Sequence, residues 1–490
     1  MITEWLVEDP FWLQSAFWYG LSGTLITLVA LALAGHAVIT KREPRSAAMW
    51  LALLLLVPVL GVLLYLTLGI NRIRRKARAL HIPDMNGDRR LARVSGAVLR
   101  QMLGQKRAHL ANLARVIDQV DRRPLLSGNR VELLQDGDET YPAMLEAINS
   151  ARGSITLCTY IFGNDIVGRD FINALAAAVE RGVQVRVLID AAGERYSWPS
   201  AVPRLRRAGV TVARFLPGRP TRLTGINLRN HRKLLVVDGR VGFTGGLNIR
   251  THHLLSGNPP RPARDLHFRV QGPVVAELQQ VFTEDWAFAT GEELTGEPWF
   301  TLDTSEEGTV LARGLSDGPD ADLDKFQWVL LAAINTARES ISIMTPYFLP
   351  DRTLVSALNL AALRGVRVDI VLPRRNNLPY VHWAMMAQLW QMLGWGCRVW
   401  MTPPPFNHGK LFVVDRSWSF VGSTNWDPRS LRLNFEFNVE CYDFALAEQL
   451  EALCQAEISR ARQVTPEMLN ARALPIKLRD GLARLFTPFL

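Results

Sequence analysis

The 490-residue sequence predicts an α/β protein built by internal duplication, two halves each with a mainly parallel central sheet, preceded by a transmembrane helical hairpin. Three observations lead there. The stretch from His231 to Asn248, HRKLLVVDGRVGFTGGLN, returns from His408 to Asn425 as HGKLFVVDRSWSFVGSTN. Around each copy, helix-like and strand-like runs alternate in the same order, the pattern of helices packed over a sheet. Ahead of both stand two long apolar runs of membrane-spanning character.

The first apolar run, Tyr19 to Ile39, has no Asp, Glu, Lys or Arg, and about 21 residues at ~1.5 Å rise cross a ~30 Å hydrocarbon layer. The second, Ala47 to Gly69, follows the polar turn KREPRS. A cleaved signal peptide would start basic, whereas Glu4, Glu8 and Asp9 open this chain and a second apolar run follows the first. Pro58 and Gly61 are expected to kink the second helix, and Trp12, Trp18, Trp50 and Tyr65 to mark interfaces. Lys41, Arg42 and Arg45 in the turn are outnumbered by Arg72, Arg74, Arg75, Lys76 and Arg78 beyond the second run, which favours a multi-pass membrane protein with its main body in the cytoplasm.

Residues 1–70 are therefore taken as the hairpin and residues 71–123 as a basic connector. The connector carries Arg89, Arg90, Arg93, Arg100, Lys106 and Arg107 with helical stretches from Leu91 to Leu113. Next to a membrane such a surface binds anionic headgroups at about 1 kcal/mol per basic residue. The formal charge of +10 agrees with an anionic partner, lipid or nucleic acid. The basic residues lack the interleaved aromatics of a single-strand platform, so nucleic acid is not expected. Cys158, Cys397, Cys441 and Cys454 have no paired spacing, which argues against a zinc site or a disulfide framework; Cys158 and Cys441 read as core residues.

The duplication extends beyond the motifs, giving a first half over residues 124–300 and a second over 301–490, with the junction near Glu292 to Asp324. SITLCTYIF from Ser154 matches SISIMTPYF from Ser340, each a strand preceded by a helix, Tyr141 to Ala151 and Phe326 to Ala337. RGVQVRVLID from Arg181 matches RGVRVDIVLP from Arg364, where glycine closes a helix and a β-branched run opens a strand. Late in each half RDLHFRVQG places Asp265 where NFEFNVECY places Glu436. At the C-terminus Leu478, Leu482, Leu485, Phe486 and Phe489 share a helical face, with Lys477, Arg479 and Arg484 polar, which suits an interfacial helix or core packing alike.

In each motif a histidine and a lysine two residues apart share one face of an extended strand, His231 with Lys233 and His408 with Lys410. Imidazole beside ammonium suits a phosphate: one attacks or moves a proton, the other neutralises phosphoryl oxygen. Gly245 with Gly246, and Gly422 with Ser423, allow close backbone approach, while Asn248 and Asn425 add amide donors. Asp238 and Asp415 complete the motif and are counted with its catalytic set, yet their odd spacing from the lysines turns them to the opposite face, in a mainly structural role.

The doubled pattern His-x-Lys-x4-Asp-x6-Gly-[Gly/Ser]-x-Asn resembles the phospholipase D superfamily. With the hairpin, the connector, NLRNHRKLLVVDGRVGFTGGLNI, MTPYFLPD and LRLNFEFNVECYD, the whole chain is similar to the bacterial cardiolipin synthases of that superfamily. Gly246, where the second copy has Ser423, is a minor departure. The resemblance implies two α/β/α halves meeting at one active site with a histidine from each. It implies phosphatidyl transfer between two phosphatidylglycerol molecules, releasing glycerol, with His231 as nucleophile and His408 as proton donor, or else a hydrolase or nuclease using the same pair. It assigns Asp265 and Glu436 to the histidines of their own halves. Lys233, Lys410, Asn248 and Asn425 would stabilise the pentacoordinate charge, a scheme that calls for no metal or cofactor. Phosphatidylglycerol and anionic lipids are the expected partners; the oligomeric state stays open, a homodimer included.

Overall fold

The computed structural model describes residues 11–41, 44–69, 94–217, 228–301, 305–319 and 324–487. These divide into an N-terminal unit and a larger α/β unit. Arg72, Arg74, Arg75, Lys76, Arg78, Arg89, Arg90 and Arg93, on which the orientation and much of the lipid-facing connector were argued, lie outside the described residues, as do Arg42 and Phe489.

In the N-terminal unit a 30-residue helix, Phe11–Thr40, leads into Pro44–Leu56 and Pro58–Leu64. Among the described residues one helix, Trp18–Thr40, is long and apolar enough to cross a membrane. The second run was expected as one helix and is two short ones. Pro58 has no N–H to donate and pushes Val57 out of the helical region, to φ −135°. The pieces still pack together: Ala30, Ala34 and Ala37 are buried, as are Leu54 and Tyr65, and His36 Nδ1 lies 2.8 Å from the Tyr65 hydroxyl. The outward side chains, Leu21, Leu25, Leu28 and Leu31 among them, are apolar and at least half exposed, the inverse of a helix on a water-soluble surface. This unit associates the protein with a membrane.

The larger unit is organised on one continuous sheet. The first half contributes, in spatial order, Leu126–Gln135, Leu266–Gln271, Val241–Gly245, Leu234–Val237, Ser154–Thr159, Gln184–Asp190 and Thr211–Phe215. The second repeats it with Val310–Asp317, Asn434–Tyr442, Trp418–Gly422, Leu411–Val414, Ser340–Met344, Arg367–Pro373 and Arg398–Thr402, then adds Arg462–Val464. Leu126–Gln135 and Val310–Asp317 pair antiparallel at the seam, with Leu126 opposite Ala312.

The α/β class and the duplication hold, while the expectation of mainly parallel sheets is corrected. Apart from the short crossing segment Arg229–Asn230, parallel pairing in the central sheet is confined to Ser154–Thr159, Gln184–Asp190 and Thr211–Phe215 in the first half and Ser340–Met344, Arg367–Pro373 and Arg398–Thr402 in the second, joined through helices such as Ile166–Glu180 and Arg352–Leu363. The motif strands pair antiparallel because a tight turn folds each back on itself. Asp238 and Gly239, and Asp415 and Arg416, hold φ between 50° and 64° at those turns. So short a turn leaves no room for the crossover that a parallel neighbour needs.

Each half has its own apolar core. Ile155, Leu157, Phe171, Leu175, Val187 and Phe243 fill the first, and Ile341, Ile343, Val329, Leu358, Ile370 and Phe412 the second. The described part of the connector joins the second core through Leu110, Leu113 and Ile117 on the helix Leu110–Val120. Arg107, expected on a lipid-facing surface, is buried and bonds Glu339 at 2.7 Å. Asp118 and Asp121 bind Arg313 and Lys325 at 2.7 and 2.8 Å, so residues 94–123 form part of the folded body. Burial of one helical face outweighs the basic composition of the segment.

Candidate active site

His231 and His408 each stand at the end of a short segment that crosses into the opposite half. Arg229–Asn230 pairs in parallel with Asn434–Phe435, and the His231 N–H donates to Phe435 O at 2.9 Å. In the mirror arrangement Phe406–Asn407 pairs with Ala263–Arg264, and the His408 N–H donates to Arg264 O at 2.7 Å. The next residues are Glu436 and Asp265. The crossing strands therefore hand each carboxylate to the histidine of the other half.

The His231 Nδ1–H donates to Glu436 Oε2 at 3.0 Å, and His408 Nδ1 lies 2.6 Å from Asp265 Oδ2. The assignment of each acid to its own half is thus corrected, because backbone pairing across the interface sets the partner. An imidazole whose Nδ1–H is held by a carboxylate keeps a lone pair on Nε2, the nitrogen left for chemistry.

Glu436 is held on several sides. Ser423 Oγ–H donates to Oε2 at 2.5 Å and Asn434 Nδ2 to Oε1 at 3.0 Å. Burial acts against its ionisation, but His231, Lys233 and Ser423 bring its carboxyl below the ordinary range. Asp265 has a different setting. Leu266 N–H donates to its Oδ1 at 2.9 Å, and Gly246 takes the place of the serine, because a Cβ there would come within 2.1 Å of Oδ1. A third imidazole, His253, stands nearby, buried, with Nδ1 3.9 Å from Asp265 Oδ2 and its ring 6.2 Å from that of His408.

Lys233 donates to His231 O at 2.7 Å, and Lys410 Nζ donates to His408 O at 2.5 Å while lying 3.0 and 3.2 Å from the two ring nitrogens. Burial lowers Lys233 to about 7 and Lys410 to about 8, although Glu436 and Asp265 act to hold the protons on. His408 falls well below the usual 6.5 through burial and then through the charges of Lys410, Lys233 and His231. Burial also lowers His231, with Glu436 opposing it and Lys233 and Lys410 assisting. Groups from both halves thus act on one another electrostatically, two lysines facing two carboxylates in one buried cluster.

The other motif residues are placed differently. The Asp238 carboxylate accepts N–H bonds from Arg152, Gly153 and Ser154, the shortest 2.7 Å, and Asp415 accepts those of Arg338, Glu339 and Ser340 together with His109 Nε2–H at 2.7 Å. They tie each motif turn to the start of a core strand; their inclusion among the catalytic residues is corrected in favour of the structural role that their spacing indicated. Asn248 Oδ1 accepts the Ile161 N–H at 3.0 Å, leaving its amide donors, whereas Asn425 Nδ2 donates to Ser430 Oγ at 3.2 Å. Cys158 and Cys441 are buried as expected.

Sequence reasoning passed over Arg232, Asn434, His253 and Tyr160. Arg232, between the histidine and lysine, is buried, bonds Asp285 at 2.5 Å and reaches Glu436 O and Asp317 O across the interface. Tyr160 puts its ring 5.4 Å from that of His231 and under Lys233 Nζ at 5.6 Å. Asn434 had a signal, since it lies two residues before Glu436 on the same strand face.

Comparison with known proteins agrees with this architecture. Residues 144–286 and 330–457 match the family described as cardiolipin synthase, PLD-like domain, and residues 27–69 the one described as phospholipase D-nuclease N-terminal. Cardiolipin synthase A of Pseudomonas entomophila (strain L48) is 33% identical over 97% of this chain and 99% of its own. The major cardiolipin synthase ClsA of Bacillus subtilis (strain 168) is 33% identical over 95% of this chain and 98% of its own. In fold, the crystal structure of phosphatidylserine synthase from Haemophilus influenzae Rd KW20 superposes with a TM-score of 0.59 and 16% identity, covering 77% of this chain and 100% of that one. Two histidine-lysine pairs on one shared sheet, in a chain matched almost end to end, have a single consequence: the protein belongs to the phospholipase D-like cardiolipin synthase family.

Proposed function

We propose that the enzyme transfers a phosphatidyl group from one phosphatidylglycerol to the terminal hydroxyl of a second, giving cardiolipin and glycerol. The carrying observation is the crossed arrangement in which Glu436 holds His231 and Asp265 holds His408. His231 Nε2 attacks the donor phosphorus, the bond from phosphorus to the glycerol oxygen breaks, and His408 gives that oxygen its proton. The acceptor hydroxyl then passes its proton to His408 as its oxygen displaces Nε2 from phosphorus, restoring both rings.

Charge supports the scheme. Lys233 and Lys410 neutralise phosphoryl oxygens, with the free donors of Asn248 adding to them. Burial, and after it the charges of Lys410 and Lys233, lower His408; a bound phosphodiester anion offsets the lysine contribution and so favours the protonated ring that carries the proton. Acid and base action of this kind is worth typically about 10²–10⁴ in rate.

The reading places both apolar runs in a bacterial inner membrane as a hairpin with the larger unit cytoplasmic. The C-terminal helix, Leu474–Leu485, supports contact with lipid, because Leu478, Leu482 and Leu485 are at least 60% exposed while Asp480 is buried against Arg472 and Arg479. Its leucines face out beside the exposed Lys477, Arg479 and Arg484, as on an interfacial helix.

The test is incubation of the purified full-length protein with phosphatidylglycerol labelled in the headgroup and the phosphate. Equal amounts of free glycerol and cardiolipin are expected. Phosphatidic acid as the sole lipid product would mean a hydrolase, and nucleotide release from nucleic acid a nuclease.

A further inference from the structure

We propose that His253 is a positioning residue: its Nδ1–H closes onto the Asp265 carboxylate, supplies there the hydrogen bond that Ser423 gives Glu436 in the other half, and so sets His408 for proton transfer. The proposal rests on the reading of His408 as the proton carrier of phosphatidyl transfer.

The two acids differ in how fully they are held. Glu436 accepts from three side chains, those of His231, Ser423 and Asn434. The Asp265 carboxylate accepts from the His408 ring and from the Leu266 N–H. It is buried, and a carboxylate offers about four acceptor positions, so part of its capacity is unused. Residue 246 cannot take up that capacity, because it is glycine and a Cβ there would run into Oδ1.

His253 is the group that can. It stands five residues after Asn248, as Ser430 stands five after Asn425. The Ser430 hydroxyl is occupied by the Asn425 amide at 3.2 Å, whereas the His253 ring reaches toward the acid. The short turn Thr251–His253 is fixed on both flanks. The Tyr141 hydroxyl lies 2.7 and 2.9 Å from Asn248 O and Arg250 O, and Asp165 accepts the Thr251 N–H at 2.8 Å. His253 Nε2 accepts the Asn248 N–H at 3.4 Å, which puts the ring proton on Nδ1. That N–H is buried, has no hydrogen-bond partner, and lies 3.9 Å from Asp265 Oδ2. A shift of about 0.7 Å brings the pair within hydrogen-bonding range, and satisfying a buried donor favours the move. Burial holds His253 down to about 3, so the ring donates without adding charge.

A carboxylate with a third donor is a weaker base toward the imidazole it holds. The protonated His408 then gives its Nε2 proton to the leaving oxygen more readily, and the acid keeps a fixed angle to the ring. Loss of the donor falls on proton transfer and spares a step that needs none.

The experiment uses the full-length enzyme in mixed micelles with two donor lipids. Phosphatidylglycerol labelled in the headgroup releases a glycerol that must be protonated as it leaves; phosphatidyl-p-nitrophenol releases a phenolate that need not be. Rapid quench reads both releases in the first turnover. In His253→Leu the ratio of glycerol release to nitrophenolate release is expected to fall about tenfold, the order of loss when a group supporting a reacting imidazole is removed. His253→Asn, whose amide N–H takes the place of Nδ1–H, should restore most of the ratio. An unchanged ratio in His253→Leu, with both releases retained or both reduced alike, would overturn the proposal. A second measurement does not need the leucine variant to fold. ¹⁵N-histidine labelling of the unaltered enzyme, with the His253 signal identified by its loss in His253→Asn, should show the proton on Nδ1, and a proton on Nε2 would also overturn the assignment. If the unaltered enzyme released glycerol without joining the phosphatidyl group to a second lipid, the transferase reading would fail while the ratio still decided the role of His253.

Discussion

The two halves have the same strand order and the same histidine-lysine pair, yet they support them differently. Behind His231 stand Glu436, Ser423 and Asn434 in a closed hydrogen-bonded set. Behind His408 stand a shorter acid, Asp265, a glycine where the serine would be, and the extra imidazole of His253. The motif turns differ too, since Asp415 is additionally clamped by His109 from the connector and Asp238 has no such bond among those described. Duplication has kept the histidine-lysine pairs and let the packing behind them diverge. Because each acid bonds the histidine of the other half, neither half holds a complete histidine-carboxylate pair alone.

If the halves are chemical equals, His231→Ala and His408→Ala should each lower phosphatidyl transfer by about 10²–10⁴, read as cardiolipin formed per minute. Full turnover in either variant would break the two-histidine scheme. Crossed support is sharpened next: Glu436→Gln and Asp265→Asn should each cost about 10–100-fold, the usual loss when a group that orients a reacting imidazole is removed. Rapid-quench labelling should show Glu436→Gln slowing formation of the phosphohistidine on His231.

The unequal packing makes a third, asymmetric expectation. Gly246→Ser should damage activity more than Ser423→Gly, because a Cβ at 246 would come 2.1 Å from Asp265 Oδ1 whereas removal of the 423 hydroxyl leaves Asn434 and His231 on Glu436. Equal losses would contradict it. Smaller still, His109→Ala should lower stability by roughly 1–3 kcal/mol through the lost buried bond to Asp415, with kcat retained, as thermal unfolding and turnover would show together.

The pH profile separates the lysines. Lys233 titrates near 7 and Lys410 near 8, so both are protonated at lower pH and lose their charge as pH rises through that window. kcat/KM should therefore fall on the alkaline side, and Lys233→Arg, charged throughout, should move that limb upward. His231, lowered below 6.5, stays neutral and nucleophilic to more acidic pH than a free imidazole.

Much was legible in the residues because it is local. The strands from Ser154 and Ser340, the helices ended near Gly182 and Gly365, and the break at Pro58 follow from periodicity and backbone chemistry within a few residues. The hairpin geometry of the motif strands had a cue that was not used: Asp-Gly at 238 and 239 between two β-branched runs signals a tight return. The connector misled because composition was weighed above the Leu110, Leu113 and Ile117 stripe that buries one of its faces.

The amino-acid order by itself determined the duplication, the elements of each half and the identity of the histidine-lysine pairs, since repetition and side-chain alternation are written along the chain. Only the tertiary structure decided that Glu436 belongs to His231 and Asp265 to His408. That choice depends on which backbone the segments before each histidine pair with, which brings together residues 205 and 143 positions apart in sequence. No local preference reaches so far; hydrogen bonding across the interface between the halves makes the selection.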